Sequence, residues 1–192
     1  MVAYFKNNFF LVPIVVLLFF VISSHAKFST KVTKSEIIDI CKQKDRDFNE
    51  SVCFEVLESI PEIATLDYSD LAKYLINYDS RKISYMMKQF QSLENSTTDR
   101  SSKGSYKVCS GTFDLAIGCF DTALRSLADK DYLRFYDNVG CTVDMAATCR
   151  DELSTVVKAN PQLFKDISFV RDISFIVLLI RERFLCKGLP RC

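Results

Sequence analysis

The chain has 192 residues, with 25 Lys and Arg against 24 Asp and Glu, one His and eight Cys. Near-neutrality argues against a nucleic-acid or acidic-lipid partner. A single histidine, at position 25, leaves little for imidazole catalysis or metal ligation.

Residues 1–26 read as a secretory signal peptide. Lys6 supplies the positive start, residues 9–22 form an apolar run, and Ser24-His25-Ala26 ends it with small residues at the cleavage positions. The run is too short to span a bilayer and contains Pro13. Cleavage leaves one domain over 27–192, with no membrane attachment and no histidine. All eight cysteines remain. An even number in an oxidising compartment favours disulfides, and no Cys-x-x-Cys pair suggests a metal site. The five glycines form no phosphate-binding loop. No cofactor is expected.

Residues 27–62 predict a helical hairpin. Ser35 can cap a segment with Ile37, Ile38, Ile40 and Cys41, and Cys53, Val56, Leu57 and Ile60 form a second short helix ended by Pro61. A Cys41–Cys53 bridge would tie the two together. The pair is too small to be stable alone and must lean on the rest of the chain or on a partner. Asn49-Glu50-Ser51 and Asn95-Ser96-Thr97 are glycosylation sequons at Asn49 and Asn95.

Residues 67–185 predict a four-helix bundle. Asp67 caps the first long helix, whose buried stripe is Leu71, Leu75, Tyr78, Met86, Phe90 and Leu93. The Ser- and Thr-rich stretch 95–105, with Gly104, reads as a linker. Cys109, Phe113, Ala116, Phe120, Ala123 and Leu127 then recur at steps of four and three, the seam of a packed helix. Phe135, Val139, Thr142, Ala146, Cys149, Leu153 and Val156 repeat the pattern. The polar turn at 128–131 makes these two helices antiparallel neighbours. From Cys109 to Cys119 is ten residues down one helix, and from Cys149 to Cys141 eight residues down the other. Their opposite rotations end on the same flank, so Cys109 can meet Cys149 and Cys119 can meet Cys141. Asn160-Pro161 marks a helix boundary, and Leu163, Ile167, Val170, Ile173, Val177, Ile180 and Phe184 form the last stripe. In the tail, 186–192, Cys186 and Cys192 are close enough to pair. The fold class is therefore all-α: an up-and-down four-helix bundle with an N-terminal helical hairpin, stapled by disulfides.

The order Ile40-Cys41, Cys53-x-x-x-Leu57, Cys109-x-x-x-Phe113-x-x-Ala116, Asp131-Tyr132 and Asp144-x-Ala146-x-Thr148-Cys149 resembles the plant invertase and pectin methylesterase inhibitor family. The resemblance implies the pairings Cys41–Cys53 and Cys109–Cys149. It implies a secreted, non-enzymatic protein of the apoplast and cell wall. Such a protein binds a pectin methylesterase, or a cell-wall or vacuolar acid invertase, one-to-one and covers its active-site cleft. The alternative is a non-inhibitory, disulfide-stapled binding module of the wall. Cys119, Cys141, Cys186 and Cys192 are additions to the family pattern. Leu133-Arg134-Phe135 stands where invertase inhibitors carry Pro-Lys-Phe, which makes Asp131, Arg134 and Phe135 the candidate target contacts. An arginine fork suits the carboxylates that both target enzymes carry in their clefts, and a phenylalanine can exclude water beside it. Phe135 is also the first seam residue of its helix, a role that would bury it.

Overall fold

A computed structural model describes residues 31–43, 48–189 and 192. The signal-peptide expectation for 1–26 and the charged turn 44–47 fall outside these. Six α-helices follow in order: α1 Lys34–Cys41, α2 Glu50–Glu58, α3 Tyr68–Ser96, α4 Arg100–Ala128, α5 Tyr132–Ser154 and α6 Pro161–Ile180. A short 3₁₀ turn, Ile63–Thr65, precedes α3, and a π-type turn, Arg181–Leu185, continues α6. No named strand occurs among the described residues; one isolated bridge joins Lys31 and Asp67.

Each α-helix begins where a short polar side chain accepts a hydrogen bond from a free backbone N–H of the first turn. The caps are Thr33, Asn49, Asp67, Asp99, Asp131 and Asn160. Thr33 and Glu36 form a reciprocal capping box. Pro161 stands in the first turn of α6, where its missing N–H costs nothing, so Asn160-Pro161 starts a helix.

The cap at Asp99 corrects one expectation. Residues 95–105 are not a linker: α3 runs through Ser96, α4 starts at Arg100, and only 97–99 connect them. Asp99 accepts from Ser102 N–H at 2.7 Å, and the Ser102 hydroxyl, with this backbone bond behind it, holds the exposed carboxyl below the usual carboxylate value. A local cap and the packing of Tyr106 near Phe90, at 6.3 Å between ring centroids, override the poor helix propensity of serine and glycine.

Helices α3 to α6 pack in a closed ring, each on the next and α6 back on α3. Every residue of the predicted α4 and α5 seams is buried, including Thr142. Tyr78 and Leu93 of the α3 stripe are only partly buried, while Ala72, Ile76, Asp79 and Ile83 complete its inward face. Phe184, also partly buried, stacks on Tyr68 at 4.0 Å. Met86 is core and Met87 packs against it.

The hairpin α1–α2 rests on α6. Asn49 N–H donates to Asp172 Oδ2 (3.2 Å), and Arg183 Nη2 donates to Gln43 Oε1 (2.6 Å). Four disulfides join Cys41–Cys53, Cys109–Cys149, Cys119–Cys141 and Cys186–Cys192. The α4–α5 pair therefore carries two cross-links, with Cα separations of 4.5 Å and 6.3 Å. Cys41, Cys53, Cys109 and Cys149 are buried, whereas the other four cysteines are half-buried.

Candidate functional site

The turn between α4 and α5 is locally locked. Lys130 adopts φ +57°, and Asp131 N–H donates to Ser126 O at 2.9 Å. The Asp131 carboxylate accepts from Arg134 N–H at 3.1 Å, so its first task is to cap α5. Arg134 points to solvent, and its carbonyl accepts from Asn138 Nδ2 at 2.7 Å. Phe135 is fully buried. This corrects its reading as a contact residue: as the first seam position of α5 it belongs to the core, and no partner can reach the ring. Leu133 is 62% exposed, so Leu133 and Arg134 are the members of that triplet available for contact. Behind the turn, Arg181 lies 4.9 Å from the Tyr136 ring centroid and donates from Nε to Tyr132 O at 3.1 Å, which fixes the start of α5 against the end of α6.

The side of α4 turned away from the core carries a second stripe: Gly104, Val108, Gly111, Leu115 and Gly118, at steps of four, three, four and three. Leu115 is 61% exposed and Val108 38%. A Cβ built on any of these glycines meets nothing within 4 Å. The bundle's own packing therefore does not require them, although each weakens the helix by about 1 kcal/mol relative to alanine. Glycine on an outer helix face lets another backbone approach closely. On the neighbouring helix, α5, Asp137, Asp144, Thr148 and Asp151 are exposed. Thr148 Oγ1 is turned back onto Asp144 O at 2.9 Å. The outward residues of these two cross-linked helices thus include the apolar Val108 and Leu115 on α4 and several carboxylates on α5. The apolar seam drew the sequence reading to the inward face of α4. The sevenfold spacing of Gly104, Gly111 and Gly118 was the available signal for the outward one.

Two grooves lie between α5 and α6. One, of about 310 Å³, is lined by Ala146, Arg150, Ser168 and Arg171; the other, of about 430 Å³, by Tyr136, Cys141, Val143 and Phe175. The first is also lined by Asp151, and the second by Asp137 and Asp144. Among the described residues no three His, Cys, Asp or Glu side chains are grouped to hold a metal ion, and no helix is long and apolar enough to cross a membrane.

One carboxyl lies inside the bundle without a counter-charge among the described residues. Asp79 on α3 is fully buried; its Oδ2 accepts from Ser174 Oγ of α6 at 3.2 Å, and its Oδ1 has no hydrogen-bond partner. Burial drives this carboxyl well above its usual value, against the weaker pull of Ser174. The site is enclosed, so Asp79 belongs to the core. Asn49 and Asn95 are exposed.

The described residues form a disulfide-stapled helical bundle with a locked α4–α5 turn. The comparisons give that class its family. The family model for plant invertase/pectin methylesterase inhibitors matches residues 35–178, and the chain belongs to this family of inhibitors rather than to a family of enzymes. It is 30% identical over 178 residues to a pectinesterase inhibitor of Actinidia deliciosa, spanning 93% of this chain and 94% of that one. It is 27% identical over 180 residues to pectinesterase inhibitor 1 of Arabidopsis thaliana, spanning 94% and 96%. The crystal structure of a mutant form of a pectin methylesterase inhibitor from Arabidopsis superposes with TM-score 0.70 over 82% of this chain and 99% of that one, at 24% identity, a likeness of fold.

Proposed function

We propose that residues 27–192 are a secreted inhibitor of a plant cell-wall pectin methylesterase, docking one-to-one by the outward α4–α5 face and closing the enzyme's active-site cleft. The observation that carries this reading is the stripe Gly104–Val108–Gly111–Leu115–Gly118. It is helix-weakening, outward, and unexplained by anything inside the bundle. The names of the curated relatives supply the target class. Such a complex buries an interface of about 1,200–2,000 Å². Two cross-links under the face mean that little conformational freedom is lost on docking. Leu115 would seat in the cleft, the glycines would admit the enzyme's backbone, and Arg134 at the end of α5 would engage a carboxylate. Asn49 and Asn95, both exposed, are the proposed glycan acceptors, and the apoplast is the proposed location.

The test is a titration of the oxidised, purified protein into a pectin methylesterase and an acid invertase at mildly acidic pH. The esterase is expected to lose activity stoichiometrically. Leu115→Arg should weaken inhibition at least about tenfold by placing a desolvated charge at the centre of the contact. Loss of invertase activity alone would transfer the assignment to that enzyme. Binding without loss of rate would leave a non-inhibitory wall module. An unchanged inhibition constant for Leu115→Arg would remove the α4 face from the contact.

A further inference from the structure

The proposed docking face leaves the outward side of α3 unused, and that side has its own pattern. Lys73, Arg81 and Lys88 are exposed there, about 12 Å and about 10 Å apart along the axis. The acidic residues of α3 are Asp70, Asp79 and Glu94, so the only carboxylate between Lys73 and Lys88 is the buried Asp79. None of the three cations is ion-paired among the described residues; Lys82, which is paired, meets Asp166 of α6 at 2.8 Å. Tyr85, 63% exposed, stands between Arg81 and Lys88. In a chain with nearly equal numbers of acidic and basic residues this is a segregation of charge. Helix α5, by contrast, carries four carboxylates and two arginines.

A row of unpaired cations interleaved with an exposed aromatic ring is chemistry for a linear acidic polysaccharide. The cations meet successive carboxylates, and the apolar edges of a sugar stack on the tyrosine face. We propose that the outward face of α3, through Lys73, Arg81, Lys88 and Tyr85, binds a linear polyuronate chain of the kind that removal of methyl esters from pectin leaves. The choice of a uronate over other polyanions rests on the proposed wall function; the basic face does not. Lys73, Arg81, Tyr85 and Lys88 share no residue with the proposed docking stripe on α4, so the two bindings can be altered separately. The inhibitor would then be retained on the de-esterified stretches that its target produces.

The experiment is co-sedimentation or affinity electrophoresis of the full oxidised protein with polygalacturonate, fully methyl-esterified polygalacturonate and polyglutamate, with no enzyme present. The wild-type chain is expected to bind polygalacturonate, to ignore the ester, to bind polyglutamate more weakly, and to be released as salt shortens the reach of exposed charges. Arg81→Glu with Lys88→Glu should weaken binding at least about tenfold. Arg150→Glu with Lys165→Glu, the same charge change on α5 and α6, should leave it intact. Arg81→Gln with Lys88→Gln provides a milder pair if the reversal disturbs folding. Equal loss from both charge-reversed pairs, equal binding to polyglutamate, or no binding to polygalacturonate would each overturn the inference. Direct binding of the variants to the esterase, measured without pectin, separates the two proposals: Arg81→Glu with Lys88→Glu should bind the enzyme as the parent does, and Leu115→Arg should bind polygalacturonate as the parent does.

Discussion

Replacing Asp79 by Asn should change how the bundle's stability depends on pH. The buried carboxyl holds its proton well above its usual value of 3.8, because ionisation would place a charge among α3 and α6 side chains with only Ser174 to solvate it. In the unfolded chain the proton leaves near the usual value. The stability that goes with the neutral acid is therefore complete below about pH 4 and is lost as pH rises towards the folded-state value. The slope in that window is about 1.4 kcal/mol per pH unit, which amounts to at most about 4 kcal/mol by pH 7. Asn keeps the shape and the acceptor for Ser174 Oγ but cannot ionise. The variant should match the parent within about 1 kcal/mol at pH 4 and exceed it increasingly above pH 5. Urea unfolding of the oxidised proteins, followed by circular dichroism at half-unit intervals from pH 4 to 7.5, measures the difference. Parallel pH profiles for the two proteins would refute the buried-acid account.

Phe135→Ala should cost about 3–5 kcal/mol, the loss expected for a fully buried aromatic ring, and any fall in inhibition should track the loss of fold in thermal scans. Arg134→Ala should leave stability within about 0.5 kcal/mol and raise the inhibition constant in the same titration; an unchanged constant would remove Arg134 from the contact. Asp99→Ala removes the cap of α4 and should destabilise by about 1 kcal/mol in urea. Under limiting dithiol, mass mapping of alkylated peptides should find Cys119, Cys141, Cys186 and Cys192 labelled before Cys41, Cys53, Cys109 and Cys149, because only the first four are part-exposed.

The bundle was legible because α4 and α5 keep a strict four-three spacing of apolar residues, and because Asp67 and Asn160 are strong caps. The α3–α4 junction was not. Ser101, Ser102, Gly104 and Ser105 read as a loop by composition, and the helix forms there only because Asp99 caps it and Tyr106 packs onto the core. Asp79 and Ser174 escaped notice because a polar side chain at a seam position looks like the edge of a stripe until its partner on another helix is known. Phe135 satisfied two patterns at once, a recognition triplet and a core seam, and burial separates them. The outward stripe on α4 was visible as a sevenfold glycine spacing, but its meaning needed the empty space around each missing Cβ.

The exposed turn at 129–131 is the obvious place for a protease to cut the α4–α5 pair. A single nick there would not release a fragment, because Cys109–Cys149 and Cys119–Cys141 each join a residue before the cut to one after it and hold the two helices together. Clipped and intact molecules would keep the same outward face. For a cut at this turn, loss of the paired helices therefore requires reduction of both cross-links as well as hydrolysis of the backbone.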